Sequence, residues 1–225
     1  IHQPEYLPWL GFFNRIQKSD VFVILDNVSY QKNGFINRNR IKTKKGPAWL
    51  TVPVKGEQKS TNININKVEI IDSYAWKEKH WDLVESNYLK APYFKDYAFL
   101  FKEAILKRNF KLISELDEYF IKIVLDILGV KKEIVKSSSL QVKGKANDLI
   151  VGICKKLGGS VYLAGPGGKN YMDLAKFKKE KIGVIFDDFK HPEYQQLFPE
   201  TGFLPYMSVI DLLFNCGSKS IDYLK

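Results

Sequence analysis

The sequence predicts an α/β protein: a Rossmann-like layered, mostly parallel sheet with a helical insert. Three observations carry that expectation. Residues 1–3 read as the end of a strand, Pro8–Lys18 as a helix and DVFVILD (20–26) as a buried strand, which makes a βαβ unit within about 30 residues. From Tyr74 to Leu128 the apolar spacing becomes helical, with Trp76, His80, Leu83 and Val84 on one face and Leu116, Phe120, Ile123 and Ile127 on another. In the last third, short strands and helices alternate again.

Each element has a local reason. Pro8 suits a first helical turn, where its missing N–H costs nothing. The 20–26 run is continuously apolar and rich in β-branched residues, as a strand covered on both faces requires. A strand is expected at Ala48–Val54, with Pro53 forcing it to an edge or its own end. Asn62–Ile71 alternates Ile and Val with polar residues, which suggests another strand. The 74–128 segment fits two or three helices and stops at Gly129, a residue suited to a helix C-terminus. Residues 133–140 suggest a strand, Asn147–Leu157 a helix ending at Gly158-Gly159, Val161–Ala164 and Gly183–Phe186 strands, and Ser208–Asn215 a final helix. The organisation expected is one domain in two α/β parts, 1–73 and 131–225, with a helical insert at 74–130.

Composition narrows the function. The chain has 225 residues, 45% hydrophobic and 14% aromatic, ample for a packed core and unlike a disordered chain. No run approaches the roughly eighteen apolar residues of a membrane span, and no secretory leader is recognisable, so a cytoplasmic protein is expected. Cys154 and Cys216 lie in apolar helical stretches and read as free thiols. His2, His80 and His191 are too scattered for a zinc site, and no bound metal is expected. The net charge of +10 fits a nucleic-acid binder or an enzyme handling phosphorylated or nucleotide-linked substrates. Because the lysines are dispersed, one focused basic site is favoured over a nucleic-acid-binding stripe.

Four stretches carry candidate chemistry. In the opening IHQPEYLPWLGFF, His2 and Gln3 fall at the end of the first strand, where parallel sheets bind ligands. His2 is either an acid or base, or a hydrogen-bonded histidine that shapes the Pro4 turn. Tyr6 and Trp9 suit packing more than a stacking platform, and no Gly-x-Gly-x-x-Gly fingerprint follows. In SYQKNGFINRNRIKT (29–43), Lys32, Arg38, Arg40 and Lys42 cluster just past the second strand. If 37–41 is extended, Arg38, Arg40 and Lys42 share a side and suit a diphosphate, with Asp26 and Asn27 placed for sugar hydroxyls. The alternative is a solvated basic loop. YLAGPGGKNYMD (162–173) is either an anion-holding turn assisted by Lys169 or an ordinary turn. In DDFKHPEY (187–194), Pro192 keeps His191 on irregular backbone, with Glu193 or Asp188 available to orient it. His80, between Trp76 and Trp81 on a helix, reads as structural.

Taken in order, IHQPEYLPWLGFF, DVFVILDNVSYQ, NRNRIKT, WLTVPV, GPGGKNY, HPEY and SVIDLLFNCG resemble the WbqC-like family over nearly the whole chain. Residue by residue, the resemblance carries over His2, Gln3, Tyr6, Trp9, Asp26, Gln31, Asn37, Arg38, Arg40, Gly165, Asn170, His191, Tyr194, Asp211 and Asn215. It implies a bacterial protein of O-antigen or other surface-polysaccharide gene clusters. The implied activity is acyl or aminoacyl transfer, such as glycine, onto a nucleotide-linked amino sugar. Arg38, Arg40 and Lys42 would hold the diphosphate, His2 or His191 would take a proton, and Asp26 and Asn170 would position hydroxyls. The acyl donor stays open: a free amino acid with ATP, an acyl-CoA or an aminoacyl carrier would each serve such chemistry. The opening also resembles the start of pantothenate synthetase-type adenylating enzymes, but LPWLG stands where those carry His-x-Gly-His. The competing reading is a non-catalytic module for a sugar nucleotide or nucleic acid. A hydrolase on Cys154 or Ser208 is disfavoured, because an apolar helix opposes a thiolate.

Overall fold

A computed structural model describes residues 1–55 and 62–224. The chain opens in extended backbone: the His2 N–H donates to the Val23 carbonyl at 2.9 Å and the Leu25 N–H to the His2 carbonyl at 2.7 Å. Helix α1 (Leu10–Lys18) then returns to strand β1 (Val21–Ile24), as the βαβ pattern requires. The first strand and β1 run parallel through His2 and Ile24. β1 pairs in parallel with β4 (Glu133–Lys136), and β5 (Val161–Ala164) with β6 (Gly183–Phe186). β2 (Arg38–Thr43) and β3 (Gly46–Thr51) form an antiparallel hairpin.

Between β3 and β4 lie three helices, α2 (Tyr74–Tyr88), α3 (Phe94–Leu106) and α4 (Ile113–Leu128). α4 ends on Gly129 at φ 66°, a left-handed position that glycine takes without steric cost. α5 (Ala146–Lys156) precedes β5, α6 (Leu174–Lys179) precedes β6, and α7 (Val209–Cys216) closes the fold, capped by the Ser208 hydroxyl. Among the described residues the result is a mixed α/β chain with seven α-helices and small parallel pairs. None of these helices is long and apolar enough to cross a membrane.

Aromatic packing joins the opening loop to the helices. Tyr6 and Leu7 are fully buried, and the Tyr6 ring meets Phe120 of α4 edge-on at 5.6 Å. Phe120 stacks on Phe101 of α3, whose ring meets Phe214 of α7. Phe12, Phe13 and Ile16 of α1 are also fully buried, each contributing about 2 kcal/mol by leaving water. The opening loop's aromatic content is therefore core material.

Three expected strands differ. Asn62–Ile71 is instead a short 3-10 turn, Ile65–Lys67, between isolated bridges. Its buried residues Ile65, Val68 and Ile70 are spaced by three and then two, so no strand face repeats. The 133–140 strand stops at Lys136 and turns at Ser137, because Ser137 and Ser138 are drawn onto Asp26. The strand expected at Ala48–Val54 begins at Gly46 and ends before Pro53, with its partner supplied by the basic run.

Candidate functional site

A cleft of about 750 Å³ opens where the parallel strands end. Its floor is His2, Gln3 and Glu5; Trp9 and Arg15 of the α1 region form one wall. Gln31 and Phe35 close the side beyond β1. Opposite stand Ala146 and Asn147 at the start of α5, Tyr162 of β5 and the Gly165–Gly168 turn. Segments from opposite ends of the lining, Ile1 and Met172, thus meet at one site, as expected for the crevice of an α/β sheet.

Arg15 is the cation of this cleft. α1 is buried on nearly every side from Leu10 to Ile16, so Arg15 points inward and is only 8% exposed. Its Nε donates to the Gly11 carbonyl at 3.4 Å and lies 3.8 Å from Asp187 Oδ2, while Asp187 Oδ1 accepts from Lys18 Nζ at 3.0 Å. Nη1 rests against the backbone of the 165–168 turn: a Cβ on Gly165 would stand 3.0 Å from it. Glycine at 165 therefore serves close approach of the guanidinium. The Ala146–Asn147 start of α5 faces the same space with no side-chain cap, and, with the Asp148 N–H already donated to the Lys145 carbonyl at 3.1 Å, it presents the positive end of the helix dipole.

Glu5 is the cleft's carboxyl. Its Oε1 lies 3.8 Å from His2 Nδ1, and its buried Oε2 has no hydrogen-bond partner among the described residues. Burial pushes its pKa up to about 7, while the Arg15 charge pulls the other way. His2 Nδ1 donates to the Gln3 carbonyl at 2.9 Å, and its ring meets Phe12 edge-on. Burial, then the Arg15 charge, depress the His2 pKa to about 3, so its imidazole is neutral at pH 7. Behind Glu5, Asp117 of α4 is fully buried, and neither carboxyl oxygen has a hydrogen-bond partner among the described residues. Burial first, and the Glu5 charge second, hold its pKa well above the carboxylate range.

Of the residues singled out from the sequence, His2, Gln3, Gln31 and Gly165 converge here, with Trp9 beside them. The others lie elsewhere. Arg38 and Arg40 stand on the outer face of the hairpin, their guanidiniums 4.3 and 5.6 Å from the Trp49 ring centre, and Arg38 also donates to the Asn33 carbonyl. Lys42 does not join them: it is 1% exposed and its Nζ donates to the Gly202 carbonyl at 2.7 Å. The expected three-cation face is thus a two-arginine face. Asp26 is clipped by Ser137 Oγ at 2.9 Å and by the Ser138 N–H and hydroxyl at 2.9 and 2.6 Å, which occupies it with backbone shaping. Asn37 Nδ2 donates to the Val52 carbonyl, and Tyr6 OH pairs with His80 Nδ1 at 3.2 Å; both residues are fully buried.

His191 lies behind Trp9, stacked at 6.2 Å and enclosed by Phe203 and Tyr206, with Nδ1 donating to the Pro192 carbonyl; burial lowers its pKa. Tyr194 donates to Asp211 Oδ2 at 2.7 Å, part of a buried hub that Tyr88 and Gln196 complete. Asn215 Nδ2 donates to the Asp211 carbonyl. Lys169 sits over Phe186 at 5.6 Å, and Asn170 is exposed at the end of its turn. Cys154 and Cys216 are free, buried thiols whose pKa values burial raises. Among the described residues no group of three or more His, Cys, Asp or Glu is placed to hold a metal ion.

Sequence reasoning passed over Glu5, Arg15 and Asp117. The available signal was a charge in an element with no polar face: Arg15 follows Phe12, Phe13 and Asn14 in a helix buried all round.

The site also explains Gly11. A Cβ there would fall 2.1–2.5 Å from three carbons of the Trp9 indole, which lies flat over it. Gly11→Ala is expected to expel Trp9 from the cleft wall and cost about 1–3 kcal/mol, read as a lowered midpoint of thermal denaturation.

Fold and cleft together define a mixed α/β protein with a charged crevice built on its opening motif. The chain belongs to the WbqC-like protein family, whose model matches residues 3–223. It is 31% identical over 226 residues to a Mycobacterium tuberculosis (strain H37Rv) protein described as uncharacterized protein Rv1507c, covering all of this chain and 96% of that relative. No solved structure matches.

Proposed function

We propose that this WbqC-like protein is an acyl or aminoacyl transferase acting on a nucleotide-linked amino sugar in bacterial surface-polysaccharide biosynthesis, in the cytoplasm. The observation that carries the reading is the convergence in one cleft of an inward-facing arginine, a glycine turn, an uncapped helix start and an unpartnered carboxyl. In this reading residues 1–3, β1, β4, β5 and β6 form one Rossmann-like layer, the 1–73 and 131–225 parts make one domain, and 74–130 is its helical insert. The Arg15 fork and the α5 start grip the diphosphate, because charge-assisted and dipole interactions favour an anion there. Gln3 and Gln31 offer amide groups to sugar hydroxyls. ATP or acyl-CoA would supply the activated acyl group.

A thermal-shift series with uridine- and thymidine-diphospho amino sugars tests this. Selective stabilisation that disappears in Arg15→Gln but survives in Arg38→Ala is the expected result. Loss only in Arg38→Ala would move the site to the hairpin. The second reading, a non-catalytic sugar-nucleotide or nucleic-acid module, draws on that hairpin: Phe35 and Trp49 are 41% and 45% exposed beside Arg38 and Arg40. It requires oligonucleotide binding that weakens steeply with salt.

A further inference from the structure

We propose that Glu5 is the proton acceptor of the cleft, taking onto its carboxylate the proton of an amine nucleophile; the inference rests on the transferase reading of the same site. Two observations carry it. Oε2 is buried with no hydrogen-bond partner among the described residues, while the Glu5 side chain keeps 10% of its surface and lines the cleft, so the carboxyl is left free to take a proton from what enters. The second is the company Glu5 keeps. Three ionisable groups face it: His2 from the first strand, Arg15 from α1 and Asp117 from α4.

These neighbours divide the work. Asp117 has no donor on either oxygen and no route to solvent, so it stays protonated and leaves Glu5 as the carboxyl that ionises near neutrality. A base whose proton affinity lies close to the working pH combines a large ionised fraction with a useful driving force. His2 is too weak a base at that pH, and its Nδ1 is committed to the Gln3 carbonyl. His191 lies outside the cleft, behind Trp9. Arg15 keeps the Glu5 affinity from rising further and, in the proposed complex, holds the anionic part of the substrate nearby.

The step balances as follows. The neutral sugar amine forms a C–N bond to the carbonyl carbon of an activated acyl donor, a thioester or acyl phosphate. The leaving group departs with its bonding pair as thiolate or phosphate. The surplus N–H proton passes to the Glu5 carboxylate and is later released to water.

The test uses the whole chain labelled with δ-¹³C glutamate. The Glu5 carboxyl resonance is the one absent from Glu5→Gln, and its titration midpoint is expected near pH 7 and higher still in Arg15→Gln. The same proteins are then scored for stabilisation by UDP-linked amino sugars and for amide formation with an acyl thioester or acyl phosphate. Glu5→Gln is expected to keep binding, to lose at least about a hundred-fold in rate, and to lose the rise of rate with pH through neutrality. A Glu5 midpoint in the ordinary carboxylate range, or wild-type rates in Glu5→Gln, with sugar-nucleotide binding intact, overturns this inference alone. A neutral midpoint with no binding of any sugar nucleotide overturns the transferase reading and removes the amine as the source of the proton.

Discussion

Asp211→Ala is expected to be among the most destabilising single substitutions in this protein, at about 3–5 kcal/mol. Asp211 is fully buried on α7 and accepts from the Tyr88 hydroxyl, the Tyr194 hydroxyl and Gln196 Nε2, each at 2.7 Å. Its charge also faces the buried Lys42. Alanine strands the Tyr88 and Tyr194 hydroxyl donors, while Gln196 Nε2 keeps the Leu204 carbonyl at 3.0 Å, and it leaves a buried ammonium with one fewer carboxylate, whereas the packing lost is small. Tyr88 retains one bond, from the Lys42 N–H at 3.0 Å, which limits the damage. For a chain of this length the loss corresponds to a drop of roughly 6–20 °C in melting temperature. Asp211→Asn keeps one acceptor oxygen and should lose clearly less. Equal losses for the two variants would mean that the hub contributes through shape and not through its hydrogen bonds.

Glu5→Gln is expected to stabilise the protein, and only on the alkaline side. In the folded chain Glu5 holds its proton to about pH 7, against an ordinary value of 4.5. Between those pH values the unfolded chain has released a proton that the folded chain keeps, so each rise in pH favours unfolding. The cost is absent below pH 4.5, grows across the window and is complete above 7, reaching about 3 kcal/mol. Glutamine removes it. Denaturant titrations of both proteins should coincide at pH 4 and separate progressively to pH 8. His2 and His80 act in the opposite sense: their folded values are depressed to about 3 and about 4, so stability falls as pH drops below 6.5. Both proteins share that acid limb, and the difference between them isolates Glu5. Stabilisation by removing a buried carboxyl from a cleft is the pattern of a group retained for function at a cost in stability.

Much of the architecture was legible in the sequence because it is local. The helix after Pro8, the β1 run, the helices between 74 and 128 and the short strands at 161 and 183 follow from apolar period and from glycine stops, which neighbouring residues set by themselves. The opening motif and the GPGG turn could be named as candidate lining, and they do meet at the cleft. The ends of strands were harder. Asp26 looked free at the end of β1, yet two serines more than a hundred residues downstream fold over it and cut short the strand that carries them.

The direction of charge was the part that sequence could not supply. Alternation correctly placed Arg38 and Arg40 on one side of β2, and it placed Lys42 there too. Only the packing of Gly202 and Asp211 against the hairpin decided that the lysine is buried while the arginines stay outside. Likewise the letters of α1 show an arginine among aromatics. That it reaches Asp187 and the turn at Gly165 depends on β5 and β6 arriving beside a helix 150 residues earlier in the chain. Periodicity is a property of a few consecutive residues, and the sequence by itself determines it. A site of opposed charges is a property of surfaces brought together across the chain, where burial and Coulomb terms between distant segments set which groups ionise.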